Sequence, residues 1–378
     1  MTECLRGAAA SLVTAPAAVT ESERAHLAAL RRALPIQRLT GNGMDYADAQ
    51  ALHALAETGV TWTVAAETIG NGALVRARTA ADNRHGATAR SAFRHASSCF
   101  RFAQSALDAD DDEKRRLYAR ALESFAAAAN FDDTPVLRVA IPWRNGSLCG
   151  WLMLPRGDAP PPVVIIFGGA DGWKEEYHAG ACYLIDRGVA ALLLDAPGQG
   201  ETRLFHRVHL TEPPDAALSA AVSYLHERCD VSDGIGIWGN SLGGTFAARA
   251  ASHDRRIGAC CVNSGSAMPN AGFARFPRLR EKRFAMVGRR DDVFADAVFD
   301  ALALPQNRIA CPLLQLHGVP DQLFTVSEAR PIYDAAPSPE KSLVLWEDGD
   351  HCIYNHSHEK HCLIADWFQR RLNRAAPP

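Results

Sequence analysis

The feature that most constrains the fold is a series of short apolar runs that begins near residue 163. Each run has the length of a buried strand, and most neighbouring runs are separated by a stretch long enough to hold a helix. Such alternation is typical of a largely parallel sheet covered by helices on both faces. The runs are Val163–Phe167, Val189–Asp195, Ile235–Trp238, Ile257–Val262, Pro312–His317 and Ser342–Trp346.

Two further β-rich runs come just before this series and predict a hairpin. Val136–Trp143 and Ser147–Leu154 flank Asn145-Gly146, a dipeptide that favours a tight turn because it tolerates positive φ. At Pro135 the hydrophobic period changes from about 3.6 to about 2. We therefore expect an α/β domain over residues 135–378, with a mostly parallel sheet of eight strands.

Residues 20–134 have the longer, helical period throughout and predict a separate helical domain. Thr20 and Glu23 have the spacing of a capping box at the start of the first helix. A later helix is expected over Asp112–Asn130, and the one before it has an apolar face whose residues recur every three or four positions. The residues of that face are Ala89, Phe93, Ala96, Phe100, Ala103 and Leu107.

Composition excludes several classes of partner. The 40 basic and 43 acidic residues give a net charge of −3, which provides no electrostatic basis for binding nucleic acid or an anionic membrane. No apolar run approaches the roughly 20 residues that span a bilayer. Residues 1–19 are Ala-rich, with one basic residue, Arg6, and no continuous apolar core, so we expect a flexible tail rather than a signal peptide.

The 10 cysteines are scattered along the chain, with no C-x-x-C pair and no spacing typical of metal ligands. In a chain of 378 residues this pattern favours reduced, mostly buried thiols over a disulfide framework. We therefore expect a cytoplasmic protein.

One predicted strand runs directly into a motif that is typical of a nucleophilic serine. Ile235–Trp238 is followed by Gly239-Asn240-Ser241-Leu242-Gly243 and then by a helical stretch over Thr245–Ala251. In this strand–turn–helix context, small neighbours allow a turn so sharp that the serine hydroxyl stands exposed above the sheet. Ser241 is therefore the candidate nucleophile.

A serine hydroxyl needs a histidine base, and the histidine needs a carboxylate that fixes its tautomer. Asp321 lies in the turn after the run that ends at His317, and His351 lies in the turn after the last run. The chain order of serine, acid and histidine is the one associated with the strand–turn–helix motif. Asp348 and Asp350 are close to His351 in sequence and are the alternative carboxylates.

Three further histidines, His356, His358 and His361, follow His351 and raise the alternative of a metal site. Their spacings do not give a clean i, i+4 pair of ligands on one helix face. We interpret these three as surface histidines and expect neither a metal nor a cofactor.

A tetrahedral intermediate needs two preorganised donors for its oxyanion. The backbone N–H of Leu242, directly after the candidate nucleophile, would supply one. The second is expected from the glycine-containing loop after Val163–Phe167, where the N–H groups of Gly169 and Ala170 are both candidates.

Three stretches of the chain together resemble one branch of the α/β-hydrolase family. The branch contains 2,6-dihydroxypseudooxynicotine hydrolase and the fungal hydrolases that shorten polyketides in pigment pathways. The resemblance extends to the helical region, with its aromatic- and Ala-rich helix at Arg84–Leu107, and so covers most of the chain. The three stretches are Gly168-Gly169-Ala170-Asp171-Gly172-Trp173-Lys174-Glu175-Glu176, Asp195-Ala196-Pro197-Gly198-Gln199-Gly200-Glu201 and Gly239-Asn240-Ser241-Leu242-Gly243-Gly244.

The resemblance implies a cofactor-free hydrolase with a Ser/Asp/His triad, an N-terminal helical cap over the active site, a small-molecule substrate and, commonly, a homodimer. Two branches of the family hydrolyse carbon–carbon bonds in ketones, so cleavage of such a bond in an aromatic or polyketide-like ketone is the first hypothesis. A hydrolase of esters, thioesters or amides, or an acyltransferase, on a small hydrophobic substrate is the second. A non-catalytic binder is the third, and the set of Ser241, Asp321 and His351 argues against it.

Two segments have roles that the motifs leave open. Lys174-Glu175-Glu176 is expected to pair and cap at the start of the next helix, rather than to place a carboxylate at the mouth of the site. Residues 263–290 contain a basic run that matches nothing in the family pattern, and we expect part of the substrate selection there. The basic run is Arg275, Arg278, Arg280, Lys282 and Arg283.

Overall fold

The structure is a computed structural model that describes residues 20–170, 172–276, 278–304, 306 and 308–373. The expected tail over residues 1–19 lies outside the described residues. The chain divides into two compact units, with the boundary between Asp133 and Thr134. Among the described residues, none of the helices combines the length and the apolar character needed to cross a bilayer.

The described part of the first unit is helical. Its predicted capping box is present, because Thr20 and Glu23 each accept a hydrogen bond from the other's backbone N–H. The unit has its own core, which includes Leu52, Trp62 and Phe102. The helices are α1 (Glu21–Ala33), α2 (Ile36–Gly41), α3 (Tyr46–Glu57), α4 (Trp62–Asp82), α5 (Gly86–Ser105) and α6 (Asp112–Ala129).

The second unit contains a single sheet of eight strands, as the apolar runs predict. Along the sheet the strands are ordered β1-β2-β4-β3-β5-β6-β7-β8. The pairs β1–β2 and β2–β4 are antiparallel, and all other neighbours are parallel. The strands are β1 (Val136–Trp143), β2 (Gly146–Met153), β3 (Val163–Phe167), β4 (Ala190–Asp195), β5 (Ile235–Asn240), β6 (Ile257–Asn263), β7 (Leu313–Gly318) and β8 (Lys341–Trp346).

Helices connect the strands from β3 onwards, so the fold class predicted from the sequence is confirmed. Two short 3-10 turns, Lys174–Tyr177 and His351–His356, lie at the carboxyl-terminal side of β3 and β8. The helices are α7 (His178–Ile185), α8 (Gly200–Leu204), α9 (Asp215–His226), α10 (Leu242–His253), α11 (Pro269–Ala274), α12 (Leu279–Val287), α13 (Asp292–Asp300), α14 (Val326–Ala335) and α15 (Ser357–Leu372).

The central strands of the sheet are buried on both faces. Every residue of β3, β4 and β5 is buried, as expected for parallel strands between layers of helices. Phe246 of α10 packs against Phe167 at the end of β3, with 6.5 Å between the ring centroids. Burial of each such side chain contributes about 1.5–3 kcal/mol. This packing fixes the strand ends, from which the loops of the candidate site extend.

The hairpin between β1 and β2 is present, but its turn lies one residue earlier than the sequence predicts. Gly146 already pairs with Trp143 as part of β2, so Arg144 and Asn145 form the loop. The positive φ, +51°, belongs to Arg144. Gly146 is required for space instead, because a Cβ there would lie 2.6 Å from the His206 carbonyl oxygen.

We expect Gly146→Ala to lower the free energy of unfolding of this unit by about 1–3 kcal/mol, because the backbone of His206 must move to admit the methyl group. Chemical denaturation followed by tryptophan fluorescence measures the change. The matched control is Gly258→Ala in β6, where the nearest atom to a new Cβ is 3.5 Å away. A loss of stability in the control equal to that in Gly146→Ala would contradict this explanation.

Candidate active site

The three side chains predicted to act together follow three strands of the sheet. Ser241 follows β5, Asp321 follows β7 in a short turn, and His351 follows β8. These strands are parallel to one another through β6, so their carboxyl ends lie at the same edge of the sheet. This edge is where open α/β sheets bind ligands.

Ser241 has a backbone conformation that few residues with a side chain adopt, with φ +58° and ψ −129°. The turn around it is possible only with glycine on both sides. A Cβ on Gly239 would lie 1.8 Å from the carbonyl oxygen of Gly243, and a Cβ on Gly243 would lie 2.2 Å from the carbonyl oxygen of Gly168. The two glycines of the motif therefore let β5 turn directly into α10 and present the serine hydroxyl.

The structure brings Ser241, His351 and Asp321 into one hydrogen-bonded chain. His351 Nε2 lies 2.8 Å from Ser241 Oγ, and His351 Nδ1 lies 2.7 Å from Asp321 Oδ2. The other carboxylate oxygen of Asp321 accepts hydrogen bonds from the N–H groups of Leu323 and Phe324, at 2.9 and 3.2 Å. Asp321 is thus fixed by its own turn and orients the imidazole.

The alternative carboxylates near His351 are engaged elsewhere. Asp350 accepts hydrogen bonds from the backbone of the turn that follows it, including the N–H of Tyr354. Asp348 lies 2.9 Å from a ring nitrogen of His356. Of the three acidic residues considered from the sequence, Asp321 is the one in contact with His351.

Asp321 and His351 shift each other's pKa in opposite directions, and each shift favours the charged form. Burial lowers the pKa of His351, but the negative charge and hydrogen bond of Asp321 raise it more, so this pKa lies well above its ordinary value. Burial raises the pKa of Asp321, but the charge and hydrogen bond of His351 outweigh that effect and the pKa is lowered. The pair therefore stabilises a positively charged imidazole next to the serine hydroxyl.

The turn that carries His351 is strained and is held by polar groups that sequence reasoning missed. Cys352 and Ile353 have positive φ values of +63° and +56°. The carbonyl oxygen of Cys352 accepts hydrogen bonds from Lys360 Nζ at 2.8 Å and from Asn263 Nδ2 at 3.1 Å. Lys360 is buried, and burial lowers its pKa to about 8. No local pattern around Lys360 distinguishes it from a surface lysine of an amphipathic helix.

A second histidine, His317, lies behind the candidate acid and was also missed. Its side chain is fully buried, and Nε2 lies 2.7 Å from the carbonyl oxygen of Phe324 and 3.7 Å from Asp321 Oδ2. Burial lowers the pKa of His317, which favours the neutral ring. Nε2 is the donor to Phe324, because a carbonyl oxygen can only accept. The signal that could have found it is its position at the end of β7, four residues before Asp321.

The backbone of the loop after β3 lies directly against Ser241. A Cβ on Gly169 would lie 2.9 Å from Ser241 Oγ and 3.2 Å from the backbone nitrogen of Leu242. Any larger residue would therefore fill the space beside the hydroxyl. Gly169, Ala170 and the Leu242 amide, the groups predicted to form an oxyanion hole, lie in this region of the structure.

Lys174 lies at the centre of a buried cluster of charges. Its ammonium group lies 2.8 Å from Glu201, 2.9 Å from Glu175 and 3.1 Å from Asp195, and its side chain has no exposed surface. Burial raises the pKa of Asp195 to about 6, although the charge of Lys174 opposes this. Lys174 and Glu175 therefore form ion pairs, as predicted. The pairs lie inside an enclosed cluster, and no described side chain caps the helix that follows.

The interpretation of the histidine cluster is wrong for one member. His361 is buried, with its ring against Trp238 and Tyr183, and burial lowers its pKa well below the ordinary value. His358 is exposed and His356 is partly exposed, as expected. His361 turns inward because Gly180 leaves room for it: a Cβ on that glycine would lie 3.2 Å from His361 Nε2.

Among the described residues, one group offers three atoms with the closeness of metal ligands. Cys149, Glu201 and His206 place one ligand atom each within 4.8 Å of one another. Glu201 is already paired with Lys174, and burial raises the pKa of Cys149 to about 12, which disfavours a thiolate. The donor set therefore does not suit a metal ion.

Three members of the basic run within residues 263–290 pair with acidic residues of the same unit. Arg275 makes a two-pronged ion pair with Glu328 of α14, at 2.6 and 2.7 Å. Arg280 pairs with Asp292 of α13, and Arg283, largely buried, pairs with Asp296. These three guanidinium groups hold α11 to α14 together.

Comparison with known proteins gives matches along most of the chain. A family model described as "Esterase FrsA-like" matches residues 58–268, and one described as "Alpha/beta hydrolase family" matches residues 167–378. The crystal structure titled 2,6-dihydroxy-pseudo-oxynicotine hydrolase superposes with a TM-score of 0.80 at 27% identity, covering 90% of this chain and 98% of that one. The structure titled AbyA5 wildtype shares the fold, with a TM-score of 0.67 at 16% identity over 92% of this chain and 99% of that one.

Related sequences carry hydrolase names. The 2,6-dihydropseudooxynicotine hydrolase of Paenarthrobacter nicotinovorans is 29% identical over 262 residues, which cover 68% of this chain and 70% of that protein. Alpha/beta hydrolase ucsC of an Acremonium species is 36% identical over 200 residues, covering 47% of this chain and 40% of the fungal protein. Two family models each match more than half of the sequence. The chain therefore belongs to the alpha/beta-hydrolase family.

Proposed function

We propose that this protein is a serine hydrolase that cleaves a carbon–carbon bond next to a ketone in an aromatic or polyketide-like small molecule, without a cofactor. The observation that carries the proposal is the chain of two hydrogen bonds from Ser241 through His351 to Asp321. A serine activated in this way is a nucleophile for carbonyl carbon. The similarity to 2,6-dihydroxypseudooxynicotine hydrolase over 90% of the chain supports the choice of bond.

The proposed reaction has two stages. In the first, Ser241 Oγ attacks the ketone carbonyl while His351 Nε2 takes the hydroxyl proton, and Asp321 stabilises the resulting imidazolium. The tetrahedral oxyanion is held by the N–H of Leu242 and a second amide of the loop after β3. The carbon–carbon bond then breaks, and the electron pair leaves on a stabilised carbanion that takes the proton from His351.

In the second stage, His351 removes a proton from water, and the hydroxide attacks the acyl group on Ser241. Collapse of this intermediate releases a carboxylic acid and returns the proton to Ser241. An ester follows the same steps with an alkoxide as the leaving group. Ester, thioester or amide hydrolysis, or acyl transfer, on a small hydrophobic substrate is therefore the second candidate, and the match to FrsA-like esterases is the observation that favours it.

Mass spectrometry of the intact protein distinguishes the two candidates. We expect a short exposure to aromatic β-diketones to add the mass of one acyl fragment to the wild-type chain. Ser241→Ala should take up no such mass and should lose about 10³–10⁶-fold in turnover, because only binding and oxyanion stabilisation are left. Adducts from p-nitrophenyl esters but from none of the ketones would favour the esterase, and an adduct that persists in Ser241→Ala would contradict the covalent mechanism.

The pH dependence of kcat/KM should report His351. Only the neutral imidazole accepts the serine proton, so activity rises with pH through the pKa of His351. Asp321 raises that pKa, so we expect the midpoint above about 6.5, the ordinary value for histidine. Asp321→Asn should move the midpoint to lower pH and reduce kcat by about 10⁴-fold. An unchanged midpoint in Asp321→Asn would show that the pH profile reports a group other than His351.

The helical unit is proposed to be needed for activity and substrate selection, as expected of a cap. Because each unit has its own core, a chain truncated to begin at Thr134 should fold. We expect this shortened protein to keep its circular dichroism signature for the sheet but to lose most of kcat/KM for the ketone. Full kcat/KM in the folded truncation would instead identify residues 20–133 as a separate interaction module. The predicted homodimer and cytoplasmic location remain predictions.

A further inference from the structure

Gln199 is buried beside the loop after β3, and its side chain links that loop to the backbone just after β4. Its Nε2 donates hydrogen bonds to the carbonyl oxygens of Gly168 and Gly169, the latter at 3.0 Å. Its Oε1 accepts a hydrogen bond from the N–H of Ala196, at 3.0 Å. The side chain is 1% exposed, so no solvent competes for these bonds.

The Gly169 carbonyl oxygen accepts from Gln199 and, at 3.4 Å, from the N–H of Gly172, and its direction determines that of the next amide. A trans peptide is planar, and its C=O and N–H point in opposite directions. Because the Gly169 carbonyl oxygen points towards Gln199, the N–H of Ala170 points away from it. No described residue accepts a hydrogen bond from that N–H. The Cα of Gly169, in the same peptide, is the atom whose Cβ would reach Ser241 Oγ.

The amide of Gly169 faces another neighbour. Its nitrogen lies 3.0 Å from the position that a Cβ on Gly172 would occupy, so Gly172, further along the loop, lies beside it. Among the described residues neither amide has a hydrogen-bond acceptor, but Gly172 lies beside the Gly169 nitrogen, so we take the Ala170 N–H as the second oxyanion donor.

The far end of the same loop is anchored by the same segment. The N–H of Lys174 donates to Asp195 Oδ1 at 2.9 Å, and the Lys174 ammonium group bonds to Asp195 and Glu201. Residues 195–201 thus bind the loop at both of its ends. Gly200 makes this possible, because a Cβ there would lie 2.1 Å from Asp195 Oδ2.

We propose that Gln199 is a positioning residue for the oxyanion hole, which holds the Gly169 carbonyl so that the Ala170 N–H becomes the second donor to the tetrahedral intermediate. The inference rests on the proposed serine mechanism. Gln199 does not contact the reacting atoms. Its loss should therefore weaken binding of the tetrahedral species and leave binding of the ground state intact.

The test replaces Gln199 with Met, which has a similar length and no hydrogen-bonding amide. Hydrolysis of p-nitrophenyl butyrate gives kcat and KM, and an alkylboronic acid, which forms a tetrahedral adduct with serine, measures affinity for that geometry. We expect kcat to fall by about 10²-fold, the loss typical of one oxyanion donor, with KM within about threefold of wild type. Boronate affinity should fall in parallel with kcat.

The matched control is Gln315→Met. Gln315 is also fully buried, and its Nε2 donates to a single backbone carbonyl, that of Ala329 in α14, at 2.8 Å. Per folded molecule, this variant should keep kcat and boronate affinity within about threefold of wild type. If Gln199→Met does not fold, Gln199→Glu is the second variant. It keeps an acceptor for the Ala196 N–H, but its ionised carboxylate cannot donate to the Gly169 carbonyl.

The outcomes separate this inference from the function on which it depends. A fluorophosphonate that fails to label wild-type Ser241, together with no hydrolysis, would overturn the serine mechanism itself. A labelled, active wild type with less than a tenfold loss of kcat in the folded Gln199 variant would overturn only the role of Gln199. That role would also be overturned if kcat falls without a loss of boronate affinity, or if Gln315→Met loses as much.

Discussion

The site depends on the close approach of backbone segments around Ser241. The left-handed backbone at this residue is unfavourable for a side chain, and it persists because β5, α10 and the loop after β3 meet there without any intervening Cβ. The packing of the central strands supplies the free energy that holds these segments together. A residue larger than glycine at position 239 or 243 would separate them and release the strained turn.

Polar side chains link two of the turns that form the candidate site. Asn240, next to Ser241 in the motif, accepts from the side chain of Asn263 at 2.9 Å, and Asn263 in turn donates to the carbonyl of Cys352. Asn263 therefore links the serine turn to the turn that carries His351. Hydrogen bonds of this kind, behind the reacting groups, are how preorganised sites keep their geometry.

The strands, and the meeting of Ser241, Asp321 and His351 at one edge of the sheet, could be predicted because their signals are local. Apolar runs of strand length, the glycines around Ser241 and the turns after the last strands each occupy a few consecutive residues. The charge cluster of Lys174, Asp195 and Glu201 could not be found in this way, because partners separated by 21 and 27 positions meet only after folding. His361 was misjudged for the same reason. Its burial depends on the glycine of another helix.

The Lys174 cluster has a consequence for how such sequences can diverge. Three almost fully buried carboxylates pair with the Lys174 ammonium group, and Glu201 also pairs with Arg138. Removal of the lysine alone therefore leaves buried negative charge that is poorly compensated, which typically costs about 3–5 kcal/mol. Loss of one acid alone is also unfavourable, since each also bonds to a backbone or side-chain N–H. Positions 174, 175, 195 and 201 are therefore expected to be substituted together, even where other loops of this unit vary freely.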